Sequence, residues 1–236
     1  NHCVITGPPG VGKTTLASLL GDIYLRLGFL KNNKFVIARR SELIGKYCGH
    51  TAVQTQNKID EAEGGVLFID EVYSLGNVKK SDSFTKECID TINQNLTENK
   101  SNFLCIIAGY EDALDSSFFS YNEGLKRRFT FKYNIQKYTE EELKLIFFEM
   151  IKEINWSIED NLKISKLFID NYELFENMAG DMESLLFNCK IAHAKRVLYN
   201  SKNKKMIIYE DLQNGLKVFK ESRVKKNSNN WKSLYI

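Results

Sequence analysis

A glycine-rich segment near the start of the chain restricts its fold more than any other feature of the sequence. Residues 7–14 read GPPGVGKT, which fits the pattern G-x-x-x-x-G-K-[ST]. The apolar run before it, residues 3–6, is typical of a buried strand, and residues 14–20 have the apolar spacing of a helix. A glycine-rich loop in this context binds phosphate through backbone N–H groups and the helix N-terminus. The segment therefore predicts a site for the phosphates of a nucleotide.

Individual residues of this loop have separate predicted tasks. Gly10 and Gly12 let the backbone turn so that consecutive N–H groups point at the phosphates. Lys13 adds a positive charge near the β- and γ-phosphates, and the Thr14 hydroxyl is a ligand for Mg²⁺. We therefore expect a nucleotide together with its metal ion.

A second segment completes this predicted site. Residues 65–71 read GVLFIDE, an apolar strand that ends in two carboxylates. Asp70 is placed to bind Mg²⁺ together with Thr14, and Glu71 to orient and deprotonate the attacking water. A base next to the metal ligand favours hydrolysis of ATP over phosphate transfer to a second substrate. The predicted nucleotide-binding residues are Gly7, Pro8, Pro9, Gly10, Val11, Gly12, Lys13, Thr14, Thr15 and Asp70.

The order of apolar segments predicts an α/β fold. Strand-like runs alternate with helical patterns up to about residue 133, which is typical of a parallel sheet with helices on both faces. The expected strands are residues 3–6, 35–38, 66–70, 103–108 and 129–133. We expect a three-layer αβα P-loop NTPase core over residues 1–137.

Beyond Tyr138 the apolar spacing is helical throughout. Helices are expected from Thr139 onwards and over residues 157–175, 182–198 and 209–219. This gives an all-helical domain over residues 138–221 and a basic, polar tail over residues 222–236.

The composition of the chain argues against several classes of protein. The net charge of +3 over 236 residues is too small to indicate a dedicated nucleic-acid-binding protein. The five cysteines contain no C-x-x-C pair, which fits a reducing compartment such as the cytoplasm and argues against a cysteine metal site. No apolar run is long enough to span a membrane, and no signal segment is apparent. Residue 1 is not methionine and directly precedes a core strand, so we expect the native protein to extend upstream.

Five strings carry a resemblance to a known family, in its order and at its spacings. They are GPPGVGKTTLA, ARRSELIGKYCGHT, GGVLFIDEVYSL, IIAGYEDAL and NEGLKRRF. The chain resembles an AAA+ ATPase and is similar to the CbxX/CfqX group, which includes SpoVK-like proteins and the red-type Rubisco activase. The resemblance implies a five-stranded core, a helical lid and a homo-oligomeric ring, usually a hexamer.

Several site residues follow from the resemblance alone. Arg128 matches the arginine finger offered to the γ-phosphate of a neighbouring subunit, with Arg127 as the alternative. Tyr110 stands at a sensor position, where its hydroxyl could contact the attacking water or the γ-phosphate. Residues 45–49 lie where the family has its central pore loop. Its expected residues are Tyr47, which grips a polypeptide, Cys48 and Gly49.

One position departs from the general AAA+ pattern. Glu183 stands where the lid usually supplies a sensor arginine, and a carboxylate there cannot contact phosphate favourably. A cation from elsewhere would have to replace it, with Lys190 and Lys195 as the candidates.

The sequence is compatible with three functions. The leading one is a Mg²⁺-dependent ATPase ring that remodels or translocates a protein partner of unknown identity. The second is a nucleotide-gated scaffold that hydrolyses ATP poorly because of Glu183. The third is a DNA-directed, clamp-loader-like ATPase. Its support is the basic tail and the cluster Lys202, Lys204 and Lys205. A solvent-exposed surface carries such basic residues without binding DNA, and this is the simpler explanation.

Overall fold

The computed structural model describes residues 2–47, 49–76, 83–98, 103–159, 162–199 and 204–232, without the side chains of residues 123, 199 and 225–232. The chain forms two compact units. The first contains Asn1–Pro8 and Gly12–Gln136, and the second contains Pro9–Val11 and Lys137–Ile236. Within the described ranges, no helix combines the length and apolar character needed to span a membrane.

A five-stranded parallel sheet forms the centre of the first unit. Its strands are β1 (Cys3–Thr6), β2 (Phe35–Ala38), β3 (Val66–Ile69), β4 (Leu104–Gly109) and β5 (Phe131–Asn134). The spatial order is β2-β3-β4-β1-β5, and every neighbouring pair is parallel. The loops after β1, β3 and β4 therefore leave the same edge of the sheet. These loops and the start of the helix that follows β1 contain the predicted nucleotide-binding residues, Glu71 and Tyr110.

Two hydrophobic clusters explain why the central strands are almost continuously apolar. Successive strand residues point to opposite faces, and Leu67 and Ile69 belong to one cluster while Val66 and Phe68 belong to the other. All four side chains are buried. The sheet is thus covered on both faces, which confirms the predicted three-layer α/β fold.

Helices α1 to α6 connect these strands. They are α1 (Lys13–Arg26), α2 (Arg40–Leu43), α3 (His50–Glu61), α4 (Ser83–Glu98), α5 (Glu111–Ser116) and α6 (Glu123–Arg128). Short 3₁₀ turns lie at Val72–Leu75 and Phe119–Tyr121. The first of these follows directly after the two carboxylates at the end of β3.

The last three strands differ from the sequence prediction by one or two residues at their ends. The prediction for the final strand began at Phe129, but β5 begins at Phe131. Phe129 follows the last residue of α6 and is 1% exposed, packed in the core. Phe129 is therefore apolar because it is buried at a helix end. A short apolar run in the sequence does not distinguish such a helix end from the start of a strand.

The second unit is mainly helical, as predicted. Its helices are α7 (Glu140–Glu153), α8 (Leu162–Asp170), α9 (Met178–Tyr199) and α10 (Tyr209–Lys232), with a 3₁₀ turn at Tyr172–Leu174. Thr139 begins α7 with a capping box, in which its hydroxyl accepts from the Glu142 N–H and Glu142 accepts from the Thr139 N–H. The boundary expected at residue 222 falls inside α10.

One small sheet departs from the all-helical expectation. Strand β6 (Ser157–Ile158) pairs in parallel with β7 (Met206–Ile207), so residue 157 does not begin a helix. A two-residue strand has no recognisable periodicity, and its partner lies far away in sequence.

A buried ion pair supports the region around this small sheet. Arg196 on α9 pairs with Asp211 on α10 at 2.8 Å, and Asp211 is 1% exposed. The Arg196 guanidinium also donates to the Met206 carbonyl and contacts His193 Nδ1. These partners satisfy charges that would otherwise be costly to bury.

Candidate nucleotide site

The glycine-rich loop has the backbone geometry that its sequence predicts. Gly10 and Gly12 have φ angles of 71° and 81°, in the left-handed region that glycine adopts at little cost. Gly12 begins α1, and no side chain caps this helix end. The first N–H groups of α1 therefore have no side-chain acceptor, which is the arrangement that binds anions at a helix N-terminus.

Within the second unit, the tip of the loop is held by hydrogen bonds to its main-chain carbonyls. The Ala179 N–H donates to the Gly10 carbonyl at 3.0 Å, and the Tyr138 hydroxyl donates to the Val11 carbonyl at 2.7 Å. A Cβ placed on Gly10 would lie 1.8 Å from the Asn177 carbonyl oxygen. Gly10 is therefore required both by its φ angle and by the close approach of Asn177.

Lys13 lies among the groups with which it is expected to act. Its ammonium donates to the Gly7 and Pro8 carbonyls at 3.0 and 2.8 Å, and lies 5.6 Å from the centre of the Tyr110 ring. Burial lowers the pKa of Lys13, and the nearby Asp70 and Glu71 carboxylates oppose this shift. The first unit therefore brings the loop lysine and both predicted acids within electrostatic range of one another.

The two carboxylates after β3 are held in a defined turn. Asp70 Oδ1 accepts a hydrogen bond of 2.9 Å from the Glu71 N–H. Glu71 itself has φ 49° and ψ 41°, a left-handed conformation that is uncommon for a residue other than glycine. Both acids line a cavity of 640 Å³, together with Arg39, Arg40 and neighbouring residues of the first unit. Glu71 is thus exposed at a position where a small molecule has access.

The donor set at this site fits Mg²⁺ bound together with phosphate. Thr14 is exposed at the start of α1, and Asp70 supplies a carboxylate at the end of β3. Across the described ranges, no group of three or more His, Cys, Asp or Glu side chains could hold a metal by itself. Mg²⁺ commonly uses one or two protein oxygens and completes its shell with phosphate oxygens and water. Thr14 and Asp70 are the residues that would bind it.

The two finger candidates differ in their partners. The Arg128 guanidinium donates to Thr97 Oγ1 at 2.9 Å and to the Gly124 carbonyl at 2.7 Å, both in its own chain. Arg127 is exposed and has no hydrogen-bond or ion-pair partner among the described residues. Arg127 is therefore free to reach another molecule, whereas Arg128 would first have to break contacts within its chain.

The predicted pore-loop residues lie between α2 and α3. Tyr47 is 68% exposed, and its ring contacts His50 edge-on. Gly49 begins α3 with φ 81°. Cys48 lies outside the described residues. The loop therefore presents an aromatic ring to solvent.

The surroundings of Glu183 contain a cation that sequence reasoning did not identify. Glu183 is exposed, as are the two candidate lysines, Lys190 and Lys195. Arg223 on α10 instead pairs with Asp181, which is 3% exposed. Both Arg223 and Glu183 line a cavity of 780 Å³ in the second unit.

Arg223 and Asp181 are connected to the tip of the glycine-rich loop. The Asp181 carboxylate accepts hydrogen bonds from the Asn177 N–H at 2.8 Å and from the Asn177 side-chain amide at 3.2 Å. Asn177 in turn lies against Gly10. Arg223 falls in the segment expected to be a polar tail, and the sequence contains no local signal that pairs it with Asp181.

Together, the fold and the site define a P-loop nucleotide-binding protein with a helical second unit. Comparison with known proteins makes this assignment specific: the profile of the ATPase family associated with various cellular activities (AAA) matches residues 3–137. The chain belongs to this AAA ATPase family, within the CbxX/CfqX group. The family membership expected from the five sequence strings is confirmed.

Curated relatives support the same assignment. The chain is 43% identical to the putative cfxQ-like protein R730 of Acanthamoeba polyphaga mimivirus, over 100% of this chain and 59% of the relative. It is 36% identical to the stage V sporulation protein K of Bacillus subtilis (strain 168), over 70% of this chain and 53% of the relative. The chain thus spans little more than half the length of these relatives.

Solved structures support the fold. The FIGL-1 AAA domain in complex with ADP has a TM-score of 0.64 and 17% identity, and the match covers 92% of this chain and 71% of that one. The katanin self-assembly structure has a TM-score of 0.59, also at 17% identity, over 92% of this chain and 71% of that one. At this identity the likeness concerns the arrangement of elements alone.

Proposed function

We propose that this chain hydrolyses ATP in a homo-oligomeric ring and uses the reaction to remodel or translocate a protein partner. The observation that carries the proposal is the position of Lys13 within electrostatic range of Asp70 and Glu71, next to a loop with anion-binding geometry. Hydrolysis needs a group that binds the phosphates, a metal ligand and a base. In the first unit, Lys13, Asp70 and Glu71 supply these three groups. Family membership agrees with the proposal.

Each residue of the site has its own role in the proposed reaction. The loop N–H groups and Lys13 bind and orient the phosphates, while Thr14 and Asp70 bind Mg²⁺. Bound Mg²⁺ supplies positive charge that compensates the phosphate oxygens. Glu71 orients a water and accepts its proton at a carboxylate oxygen. The Tyr110 hydroxyl, at the end of β4, is proposed to hydrogen-bond the attacking water or the γ-phosphate; Tyr110 is 41% exposed and thus accessible.

A neighbouring subunit is proposed to complete the site with an arginine, in a ring of six copies. A guanidinium at the γ-phosphate stabilises the charge of the transition state and is worth about 10³ to 10⁵ in rate in finger-dependent NTPases. Arg128 and Arg127 remain the two candidates. The exposure of the Arg127 side chain favours Arg127 on accessibility, whereas Arg128 is favoured by the sequence resemblance.

The partner is proposed to be a polypeptide held by Tyr47. An exposed aromatic ring offers a large apolar contact at small entropic cost and requires no particular partner sequence. Among the relatives, one is named as a chloroplastic Rubisco activase of Cyanidioschyzon merolae, 37% identical over 68% of this chain. That substrate belongs to the relative, and the polypeptide proposed for this chain has no assigned identity. The described cysteines are free and buried, which supports a reducing compartment such as the cytoplasm.

Phosphate release tests the enzymatic part of the proposal. Wild-type protein should release phosphate from ATP in the presence of Mg²⁺, and Lys13→Ala should reduce this release to background. The second candidate, a nucleotide-gated scaffold, is favoured by Glu183 at the position of a sensor arginine. A wild-type rate equal to that of Lys13→Ala, together with retained ATP binding, would support the scaffold and contradict the ATPase.

The mass in solution tests the ring. Light scattering after size exclusion should show growth from monomer to a hexamer when ATP and Mg²⁺ are added. A protein that stays monomeric while hydrolysing ATP at the full rate would contradict an arginine supplied by a neighbour.

A further inference from the structure

The second unit binds two successive carbonyl groups at the tip of the glycine-rich loop. The Gly10 carbonyl accepts from the Ala179 N–H at 3.0 Å, and the Val11 carbonyl accepts from the Tyr138 hydroxyl at 2.7 Å. All four residues belong to this unit. The C=O and N–H groups of a planar trans peptide point in opposite directions. The two donors therefore determine where the next N–H groups, those of Val11 and Gly12, are directed.

These two N–H groups are available to a ligand. Neither the Val11 N–H nor the Gly12 N–H donates to an acceptor within the described ranges of the chain. Val11 is 1% exposed, and an N–H group that is buried without an acceptor is costly. A phosphate oxygen is the acceptor that the loop motif predicts at this position. The hydrogen bonds on the carbonyl side thus prepare the loop for an anion on the N–H side.

A second tyrosine fixes the backbone of Tyr138. Tyr172 begins the 3₁₀ turn Tyr172–Leu174, and its hydroxyl donates to the Tyr138 carbonyl at 2.7 Å. The N–H group of the same peptide, that of Thr139, donates to the Glu142 carboxylate at 2.8 Å in the capping box of α7. Both polar groups of this peptide are therefore bound. Nothing in the sequence pattern links Tyr172 to Tyr138, which lies 34 positions earlier.

Tyr172, Tyr138 and Val11 form a chain of two hydrogen bonds that ends at the loop. Both phenols are partly buried, so water competes less for these bonds than at a fully exposed site. Burial and, to a smaller extent, the Glu142 carboxylate raise the pKa of Tyr138, so its hydroxyl remains a donor at neutral pH. We propose that Tyr172 is a positioning residue for nucleotide binding. It holds the backbone of Tyr138, and the Tyr138 hydroxyl in turn directs the Gly12 N–H at the phosphates.

This inference rests on the proposed function, since it assumes that the glycine-rich loop binds the phosphates of ATP. Tyr172→Phe removes the hydroxyl and keeps the ring. Loss of this hydrogen bond should raise the Kd of a fluorescent ATP analogue with Mg²⁺ about 2- to 5-fold. The KM should rise with the Kd, while kcat should change by less than about twofold. The reason is that a loop N–H group contacts the phosphates in the ground state and in the transition state alike.

Tyr209→Phe is the matched control. Tyr209 is also a partly buried tyrosine of the second unit, and its hydroxyl accepts from the Gln213 side chain at 3.0 Å, within α10. This substitution removes the same chemical group without touching the chain of hydrogen bonds to the loop. The Kd of Tyr209→Phe should equal that of the wild type. Equal Kd values for Tyr172→Phe and Tyr209→Phe would overturn the inference.

A double-mutant cycle shows whether Tyr172 acts through Tyr138. Tyr138→Phe removes the donor to the Val11 carbonyl, so Tyr172 then has no hydroxyl left to position. Adding Tyr172→Phe to Tyr138→Phe should therefore change the Kd by less than about 1.5-fold. A further increase as large as that of Tyr172→Phe alone would show that the two tyrosines act independently, and would overturn the proposed relay.

Nitrogen-15 NMR of nucleotide-free protein gives a readout that does not depend on nucleotide binding. The Gly12 amide shares its peptide with the Val11 carbonyl, and a hydrogen bond to that carbonyl polarises the whole peptide. The Gly12 signal in Tyr138→Phe marks the position without the hydrogen bond. Tyr172→Phe should move the signal towards this position, and Tyr209→Phe should leave it in place. An unmoved Gly12 signal in Tyr172→Phe would contradict the positioning role.

The same measurements separate failure of this inference from failure of the proposed function. If the wild-type protein does not bind the ATP analogue, the proposed function is wrong and this inference fails with it. If the wild type binds and hydrolyses ATP while Tyr172→Phe has the wild-type Kd, the proposed function stands and the role of Tyr172 is wrong.

Discussion

Replacing Asp181 by Asn should destabilise the second unit far more than replacing the other carboxylate that contacts Arg223. Asp181 is 3% exposed and accepts from Arg223 and twice from Asn177. Asn at position 181 removes the charge and directs an N–H₂ group at one of these donors. Glu176 also contacts Arg223, at 3.7 Å, but its side chain is 77% exposed.

The structure sets the expected magnitudes. Breaking a buried ion pair typically costs about 3–5 kcal/mol. Because the Arg223 side chain is 22% exposed and can regain some hydration, we expect about 2–3 kcal/mol for Asp181→Asn. For a chain of this length this corresponds to a decrease in Tm of roughly 5–10 °C. Glu176→Gln, at a surface pair, should cost about 0–1 kcal/mol.

Thermal unfolding followed by circular dichroism, with and without ATP and Mg²⁺, measures both effects. Asp181→Asn should also reduce the nucleotide-induced increase in Tm, because Asp181 holds Asn177 against Gly10. A similar Tm for the two variants would refute the buried network. A normal nucleotide-induced shift in Asp181→Asn would refute its connection to the loop.

Three further predictions concern the loop, the finger and the core. Tyr138→Phe removes the donor to the Val11 carbonyl and should weaken ATP binding by about 2- to 10-fold in a fluorescence titration. Arg128→Ala should lower Tm because it loses contacts within the chain, whereas Arg127→Ala should leave Tm unchanged. Burial lowers the pKa of His2 to about 3, so the unfolded chain takes up a proton first as the pH falls below about 6.5. The free energy of unfolding should then fall by up to about 1.4 kcal/mol per pH unit in urea titrations between pH 6.5 and pH 4.

Each of these predictions has a result that contradicts it. An unchanged Kd in Tyr138→Phe would mean that the loop does not depend on this hydrogen bond. Equal losses of Tm at the two arginines would contradict their different environments. For His2, the comparison is His2→Gln, whose pH dependence should lack this component; identical slopes in the two proteins would show that His2 does not remain neutral in the folded state.

The architecture of the first unit could be predicted from sequence because its signals are local. Strands β1, β3 and β4 contain apolar residues that are buried on both faces, and the glycine-rich loop follows β1 directly. The P-loop lysine and the acids after β3 were each predicted from motifs of fewer than ten residues. Parallel strands then bring these motifs to one edge of the sheet, so the site follows from the fold.

Other parts of the site depend on contacts that the sequence does not encode locally. Tyr138 contacts Val11 across 127 positions, and Arg223 contacts Asp181 across 42. Tyr73 lies only one residue beyond the end of the sequence GVLFIDEV, but its stacking on Tyr110 depends on the space above Gly109. Periodicity and motif spacing contain no information on these three arrangements.

The most direct test of the account is a comparison of ATP binding and hydrolysis in Glu71→Gln. The substitution keeps the size of the side chain and removes its ability to accept a proton. The variant should bind a fluorescent ATP analogue with Mg²⁺ at close to the wild-type Kd, while phosphate release should fall to the level of the Lys13→Ala variant. Phosphate release at the wild-type rate from Glu71→Gln would contradict the account.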